Sequence, residues 1–391
     1  MANAQQSSLL GLELQELTDI VEKLGQPGFR GRQLLQAIYL ERREGLDSIT
    51  TLPKRFREEL VGAGYELRLP VVDRKFTSAD GTIRYLISFA DGQSVEAVWM
   101  PEGDGGEEGE EEPGHGGAAL GRPPARKNGR RPGAEGRFSR ATICLSSQVG
   151  CAVSCQFCLT ALLGVQRNLT AAEIVGQVLA VLNDRAVDLA AERINLVFMG
   201  QGEPFLNYEN FMRAVRLLVE AVGIPESRMT VSTAGIVPRI YDLAREPVRP
   251  HLAISLNASN DELRSEIMPI NRKWNLEVLL EAARAFSLRP RERLTFEYVL
   301  LDDVNDAAQN AREVVQLLKG IRAKVNLIAL NPGPDIPFRT PTDEGVHGFQ
   351  QILIQAGIPT FIRRPRGRDI FAACGQLKRT VEMEQPLVSL Q

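Results

Sequence analysis

Cys151, Cys155 and Cys158 crowd into the string CAVSCQFC, and the whole chain of 391 residues has only five cysteines. Three thiolates at CxxxCxxC spacing can ligate three irons of a four-iron cluster. The fourth iron is then left without a protein ligand, open to a small molecule that offers an amino and a carboxylate group. Other chemistries compete for the same loop. Cysteines at i, i+4 and i+7 could line one face of a buried helix, because free cysteine packs as a small hydrophobe; Gly150 and the crowding speak against this. A zinc site with Cys144 or Cys374 as fourth ligand would lack the usual second C-x2-C or Cys/His pair. Cys155-Gln156-Phe157-Cys158 fits a redox CxxC, but Cys151 would then have no role.

The elements that must position this loop follow it along the chain. Predicted strands cover Ile143–Leu145, Ile194–Met199, Thr230–Ser232, His251–Leu256, Leu294–Leu301 and Lys324–Leu330. Predicted helices run roughly over 170–182, 207–222, 236–245, 275–287 and 307–320, the first opened by a Thr170–Glu173 capping box. Such alternation predicts parallel βα units. No strand is followed by GxGxxG, so a dinucleotide-binding sheet is not expected. The expectation is an α/β fold: a partial (β/α)6 barrel over residues 141–380, with its chemistry at the C-terminal ends of the strands. The cysteine loop falls there, as do Gly202 and Glu203, Ser232, Asn257 and Asn331.

Residues 1–100 read as a small helical accessory domain with a β extension. Its helices are expected over Leu14–Leu24, stopped by Gly25 and Pro27, then Arg32–Arg43 and Pro53–Ala63. A hairpin, Tyr85–Phe89 and Ser94–Met100, turns at Asp91-Gly92. Arg30, Arg32, Arg42, Arg43, Lys54, Arg55 and Arg57 mark either a solvated helical surface or an RNA contact. Residues 101–140 are rich in Gly and Glu, then in Gly, Pro and Arg, with almost nothing apolar. They predict a disordered insertion in which His115 is inert. Residues 381–391 form a tail.

Composition is that of an ordinary globular chain, 43% hydrophobic and 24% charged. A net charge of -3 gives no global basic field, so any case for nucleic acid rests on local patches. The N-terminus shows no signal-peptide pattern, and no run of about 18 apolar residues predicts a membrane span. The cysteine spacing is wrong for a disulfide framework. A cytoplasmic protein is expected.

The loop, with an aromatic residue before its last cysteine, resembles the radical S-adenosylmethionine superfamily, and MGQGEP (Met199 to Pro204) looks like that superfamily's Gly-Glu motif. The surrounding text is more specific. ICLSSQVGCAVSCQFC, VSTAGIVPRI, AISLNASND, EYVLLDDVND, NLIALNPGP and RRPRGRDIFAACGQL together resemble the RlmN/Cfr-type RNA adenine methyltransferases, from about Leu9 to Arg379. The resemblance implies a 4Fe-4S cluster on Cys151, Cys155 and Cys158. It implies S-adenosylmethionine held by Gly202 and Glu203, by Ser232, by Ser255, Leu256 and Asn257, and by Asn331. Cys374 matches the cysteine that carries a methyl group from one S-adenosylmethionine. A 5′-deoxyadenosyl radical from a second one then activates that methyl for addition to the adenine. Cys144 matches the thiol that resolves the resulting protein–RNA crosslink through a transient disulfide with Cys374, and Glu96 the proton acceptor. The family methylates carbon 2 of adenine, or carbon 8 in the Cfr branch; such electron-poor carbons are no nucleophiles, and the cofactors carry the hard step. The implied partners are 23S rRNA, tRNA and a flavodoxin-like electron donor. Two departures stand out: Asn257 replaces the family's common histidine, and the insertion separates Glu96 from Cys144. Without the resemblance, Glu96 reads as a solvent-facing residue alternating with Val95 and Ala97. A zinc-stabilised RNA-binding module without catalysis is the reading from another class.

Overall fold

The computed structural model describes residues 7–101, 107–108 and 140–377. Three N-terminal helices come first: α1 (Leu14–Lys23), α2 (Phe29–Leu35) and α3 (Lys54–Gly62). Leu17, Val21, Leu34, Phe56 and Leu60 on their inner sides belong to the same buried cluster as the rest of the molecule. The second helix starts earlier than its sequence suggests and passes into a π turn, Gln36–Leu40. It stops before Arg42, whose φ of 53° is left-handed.

An antiparallel extension follows, β1 (Val71–Thr77), β2 (Ile83–Ser88) and β3 (Ser94–Pro101), with the predicted hairpin in register Ser88 to Ser94. It is hydrogen-bonded into the barrel sheet itself: β3 pairs with β4 (Arg140–Cys144), Val98 opposite Cys144. Parallel strands continue as β5 (Arg193–Phe198), β6 (Met229–Thr233), β7 (His251–Ser255), β8 (Leu294–Leu300), β9 (Ala323–Ala329) and β10 (Thr360–Arg363). The crossover helices are α4 (Ala171–Asp184), α5 (Tyr208–Leu217), α6 (Val237–Arg245), α7 (Leu276–Ala285), α8 (Ala308–Leu317) and α9 (Asp343–Gln355). Thr170 caps α4 through the predicted box with Glu173.

The barrel thus has six βα units and a seventh parallel strand. Neither β10 nor α9 was expected from the sequence. The strand is short and hemmed by Pro359 and Pro365, and Gly345 and Gly348 blur the helical pattern of α9. Thr342 caps α9: its hydroxyl accepts from the Gly345 N–H at 3.1 Å. Glu107–Glu108 adds an antiparallel edge to β10. Pro101 and Arg140, the ends of the expected insertion, belong to β3 and β4; residues 102–106 and 109–139, His115 included, and the tail lie outside the described residues. Among the described residues no helix is long and apolar enough to cross a membrane.

The strands have two chemically different faces. Outward residues such as Ile143, Phe198, Val231, Ile254, Phe296 and Leu327 are buried in the main core under the helices. Inward positions carry Thr142, Cys144, Ser232, Ser255, Glu297, Lys324 and Asn326. Barrel interiors are usually packed with branched apolar side chains; this one is a polar chamber.

Candidate active site

The chain leaves β4 into a hairpin of Gln148–Gly150 against Val165–Asn168, and the three cysteines lie on the loop between these strands. Gly150 has a φ of 78°, and a Cβ there would collide with the Gly164 carbonyl oxygen. Only glycine lets the hairpin close at the cysteine loop. The Cys155 N–H donates to the Val153 carbonyl at 3.0 Å, and the Gln156 N–H to the Ile267 carbonyl at 2.9 Å. The three side chains pack around Val153, Phe157, Ile267 and Met268. Burial pushes all three thiols up, Cys151 to about 12. A thiolate at Cys158 would push Cys151 and Cys155 higher still, so the groups face a common volume. Among the described residues no three Cys, His, Asp or Glu side chains converge on a single ion. Three thiols on one loop that face a common volume suit a multi-iron cluster, whose ligands sit on separate irons.

Opposite the loop, Gly202 has a φ of 97°, and a Cβ would lie 2.6 Å from Gln148 Cβ. This close approach brings Glu203 inside, where its carboxylate accepts from the Phe205 N–H at 3.0 Å and the Ala234 N–H at 2.7 Å. Burial outweighs these donors and pushes Glu203 up to about 7. A buried carboxylate in that state is ready to take an ammonium partner. Ser232 and Ser255, on neighbouring strands, have hydroxyls 3.3 Å apart. Leu256 is fully buried and its N–H donates to the Glu297 carbonyl.

Asn257 has a left-handed φ of 57°, a conformation asparagine tolerates. Its amide oxygen accepts from the Val299 N–H at 2.8 Å and its nitrogen donates to Met268 Sδ at 3.2 Å. Both ends of the amide are engaged with the protein, and the Asn257 carbonyl accepts from Asn305 Nδ2 at 2.8 Å. Asn331 is half satisfied: its nitrogen donates to the Cys374 carbonyl at 3.2 Å, while its buried Oδ1 has no protein partner. The buried Gln201 Nε2, beside Gly202, is likewise without one. A donor and an acceptor kept dry and unsatisfied are what a missing polar ligand leaves behind.

Cys374 comes from the C-terminal segment that crosses the barrel mouth. The Leu159 N–H donates to the Gly375 carbonyl at 2.8 Å, the Thr160 hydroxyl to the Leu377 carbonyl at 2.7 Å, and Gln376 to the Pro332 carbonyl at 2.7 Å. At the other end of the segment, the Ser78 hydroxyl donates to Asp369 at 2.6 Å and the Gly367 N–H to Asp80 at 3.0 Å. These bonds fix Cys374 beside the cysteine loop. Its surface is open to solvent, yet it sits among enough protein for burial to push its thiol up, with Glu297 adding to the shift and Arg363 opposing it. Cys144, at the end of β4, is buried with Val98, Ala372 and Leu377. Burial raises its thiol first, and Cys374 is the next contributor. Two cysteines far apart in sequence therefore share one end of the chamber.

Glu96 departs from the sequence-based expectation: it is 1% exposed. Val95 and Ala97 face the main core, and the other face of β3 is covered too. Its carboxylate is ion-paired with Arg84, which stacks on Phe76 with the guanidinium carbon 4.3 Å from the ring centroid. The Ser146 hydroxyl donates to the Glu96 carbonyl at 2.6 Å, which ties it to the strand end after Cys144.

Two chamber residues had escaped notice. Glu297 accepts from the Ser232 hydroxyl at 2.6 Å. Burial raises its carboxyl, opposed by Ser232 and Lys324, and burial lowers Lys324, opposed by Glu297. The available signal was a single charge at alternating positions of apolar strands, FEYVL and AKVNL.

Comparison with known proteins fits this geometry. The radical SAM superfamily model matches residues 145–315, and the model for the ribosomal RNA large subunit methyltransferase N-terminal domain matches residues 7–63. A probable dual-specificity RNA methyltransferase RlmN of Koribacter versatilis is 65% identical over 92% of this chain and 98% of its own length. The dual-specificity RNA methyltransferase RlmN of Syntrophobacter fumaroxidans is 43% identical over 93% and 96%. The crystal structure of a radical SAM methyltransferase from Sphaerobacter thermophilus, 41% identical, superposes with a TM-score of 0.82 over 95% of this chain and 99% of that one. A cysteine loop facing a Gly-Glu turn, on a partial barrel behind a matching N-terminal domain, places this chain in the RlmN family of radical S-adenosylmethionine RNA methyltransferases, which use a 4Fe-4S cluster and S-adenosylmethionine.

Proposed function

We propose that this chain methylates carbon 2 of an adenine in the peptidyl-transferase centre of 23S rRNA and of the adenine 3′ of the anticodon in some tRNAs. The observation that carries the reading is the packing of Cys144 against Ala372 and Leu377, which flank Cys374 on the segment bonded to the cysteine loop. A lone buried cysteine is ordinary packing. Two that converge on a chamber mouth, one buried and one open, suit a carrier and a resolver.

In this reading Cys151, Cys155 and Cys158 hold the cluster, and Glu203 with Asn331 binds the polar groups of S-adenosylmethionine. When bound, these cofactors supply a methyl group and the radical that activates it. The residues do the rest. Cys374 carries the methyl on sulfur at the open mouth, where a flipped-out adenine reaches it. The Asn331 side-chain amide and the Leu159 N–H hold the Cys374 segment by its carbonyls, so the sulfur keeps its aim while its substituent changes. Cys144 then attacks the Cys374 sulfur: an S–S bond forms, the carbon–sulfur bond breaks, and the released carbon keeps that bond's electron pair and takes up a proton. Glu96, held by Arg84, is the proton acceptor in the wall behind Cys144. The electron is supplied by a small flavodoxin-like protein.

The test is to incubate the reduced holoenzyme with unmodified 23S rRNA fragment and tRNA, then identify the nucleoside by mass spectrometry. 2-Methyladenosine from both RNAs is expected. 8-Methyladenosine would move the chain to the Cfr branch. Stoichiometric zinc with no methylated product would make it an RNA-binding module.

A further inference from the structure

Among the described residues Arg264 is the largest side chain with essentially no solvent exposure. It lies on the short helix Asp261–Ile267, and its guanidinium points into the protein. Its Nε donates to the Leu256 carbonyl at 2.9 Å, and Nη2 to the carbonyls of Ala234 at 2.8 Å and Ser255 at 2.9 Å. Nη1 donates to Asn271 Oδ1 at 2.9 Å. All these acceptors are neutral. The Asp261 carboxylate on the same helix favours the cation from a distance, but its Oδ1 accepts from the Asn271 amide and the Leu276 N–H and it makes no direct bond to the guanidinium. A buried cation without a directly bonded anion is disfavoured, which leaves room for a further counter-charge.

The cysteine loop stands in that place. The Gln156 N–H is bonded to the Ile267 carbonyl of the same helix. Cys155 packs against the cluster that contains Ile267 and Met268. Burial pulls Arg264 down to about 10, and Cys155 first and Asp261 second oppose this. Arginine stays charged throughout.

We propose that Arg264 is the buried counter-charge of the iron–sulfur cluster. Through its carbonyl bonds it also positions the Ala234 and Ser255–Leu256 turns against that cluster. A fixed positive charge favours the reduced, more negative cluster over the oxidised one. The inference rests on the assignment of the three thiols to a cluster.

The test compares Arg264→Gln and Arg264→Lys with the parent protein after anaerobic reconstitution. Iron content, midpoint potential, and melting of loaded and metal-free forms are measured. A parent protein that binds no iron sinks the cluster reading itself. With the parent loaded, Arg264→Gln should lower the reduced-to-oxidised ratio at fixed poise roughly tenfold, about 59 mV for one electron. Arg264→Lys should load iron and keep the parent potential despite a weaker fold. Loss of iron in Arg264→Gln with parental melting of the metal-free form also supports the charge role. An unchanged potential in loaded Arg264→Gln overturns it. So does an equal loss of stability in loaded and metal-free forms, which is what a mere carbonyl clamp predicts. If Arg264→Gln does not fold, Arg264→Lys decides: a potential displaced as far as the tenfold shift overturns the inference.

Discussion

Cys144 is buried at a strand end while Cys374 faces the open mouth, and that difference sets how each variant fails. In the proposed reading Cys374 carries the methyl, so Cys374→Ala should remove the carrier at little structural cost, under about 1 kcal/mol for an exposed site. No carbon–carbon bond to the adenine should then form, and the RNA should be released unmodified. Cys144→Ala should leave that addition intact and remove the proposed resolving thiol. It should stall as a covalent protein–RNA adduct, seen as a shifted band that survives denaturation and disappears with ribonuclease. Two core cysteines with no chemical role would give mild destabilisation from either change and no adduct. Glu203 carries a second prediction. Its carboxyl rises from 4.5 to about 7 in the fold. Between these values the unfolded chain loses a proton that the folded protein keeps. Stability of the metal-free protein should therefore fall as pH rises through this window, by about 1.4 kcal/mol per unit, and level off above it. Glu203→Gln should flatten that part of the profile; an unchanged profile by calorimetry would refute the assignment. The cysteine loop was legible because its chemistry is local, three thiols in one short string. Glu297, Lys324 and Arg264 were not, because each is a single charge whose meaning comes from strands and helices distant in sequence.

At the scale of elements, the strands that alternate with long amphipathic helices announced themselves through apolar runs. Their ends were less readable: β10 has four residues between prolines, and the second N-terminal helix changes pitch at Gln36. The exposure of Glu96 was misjudged because period-two alternation says which face a residue takes, not whether that face is covered. In the fold β3 is an interior strand, bonded to both β2 and β4. The hairpin at Gly150 gives the sharpest element-level prediction. Gly150→Ala must place a Cβ against the Gly164 carbonyl with a positive φ. It should cost at least about 2 kcal/mol locally. Because the barrel strands are untouched, far-ultraviolet circular dichroism should persist while iron loading at Cys151, Cys155 and Cys158 collapses. Full iron content in this variant would show that the hairpin does not set the loop.

For the whole molecule the question is where a polyanion lands on a chain of net charge -3. The basic cluster of the N-terminal helices is largely spoken for. Lys54 pairs with Glu58, Arg55 with Glu59 and Arg43 with Glu41, while Arg42 donates to the Val187 carbonyl at 2.8 Å and so joins the helices to the barrel. The segment between β10 and Cys374 leads to the site. Arg364 and Arg368 are exposed there, on a strap held at Asp80 and Ser78 and running on to Cys374. Phosphates anchored by this strap would lie on the stretch of chain next to Cys374 and present a flipped base to it. Arg364→Glu with Arg368→Glu should therefore weaken binding of a 23S rRNA fragment and flatten the plot of log affinity against log salt by about one unit per lost phosphate contact. Lys54→Glu with Arg55→Glu should leave that slope near the parent value. Both double variants keep the cysteines, so both should still cleave S-adenosylmethionine when reduced. A slope that flattens only with the helix variant would route the RNA over the N-terminal domain, and the strap would then be no more than the brace that holds Cys374.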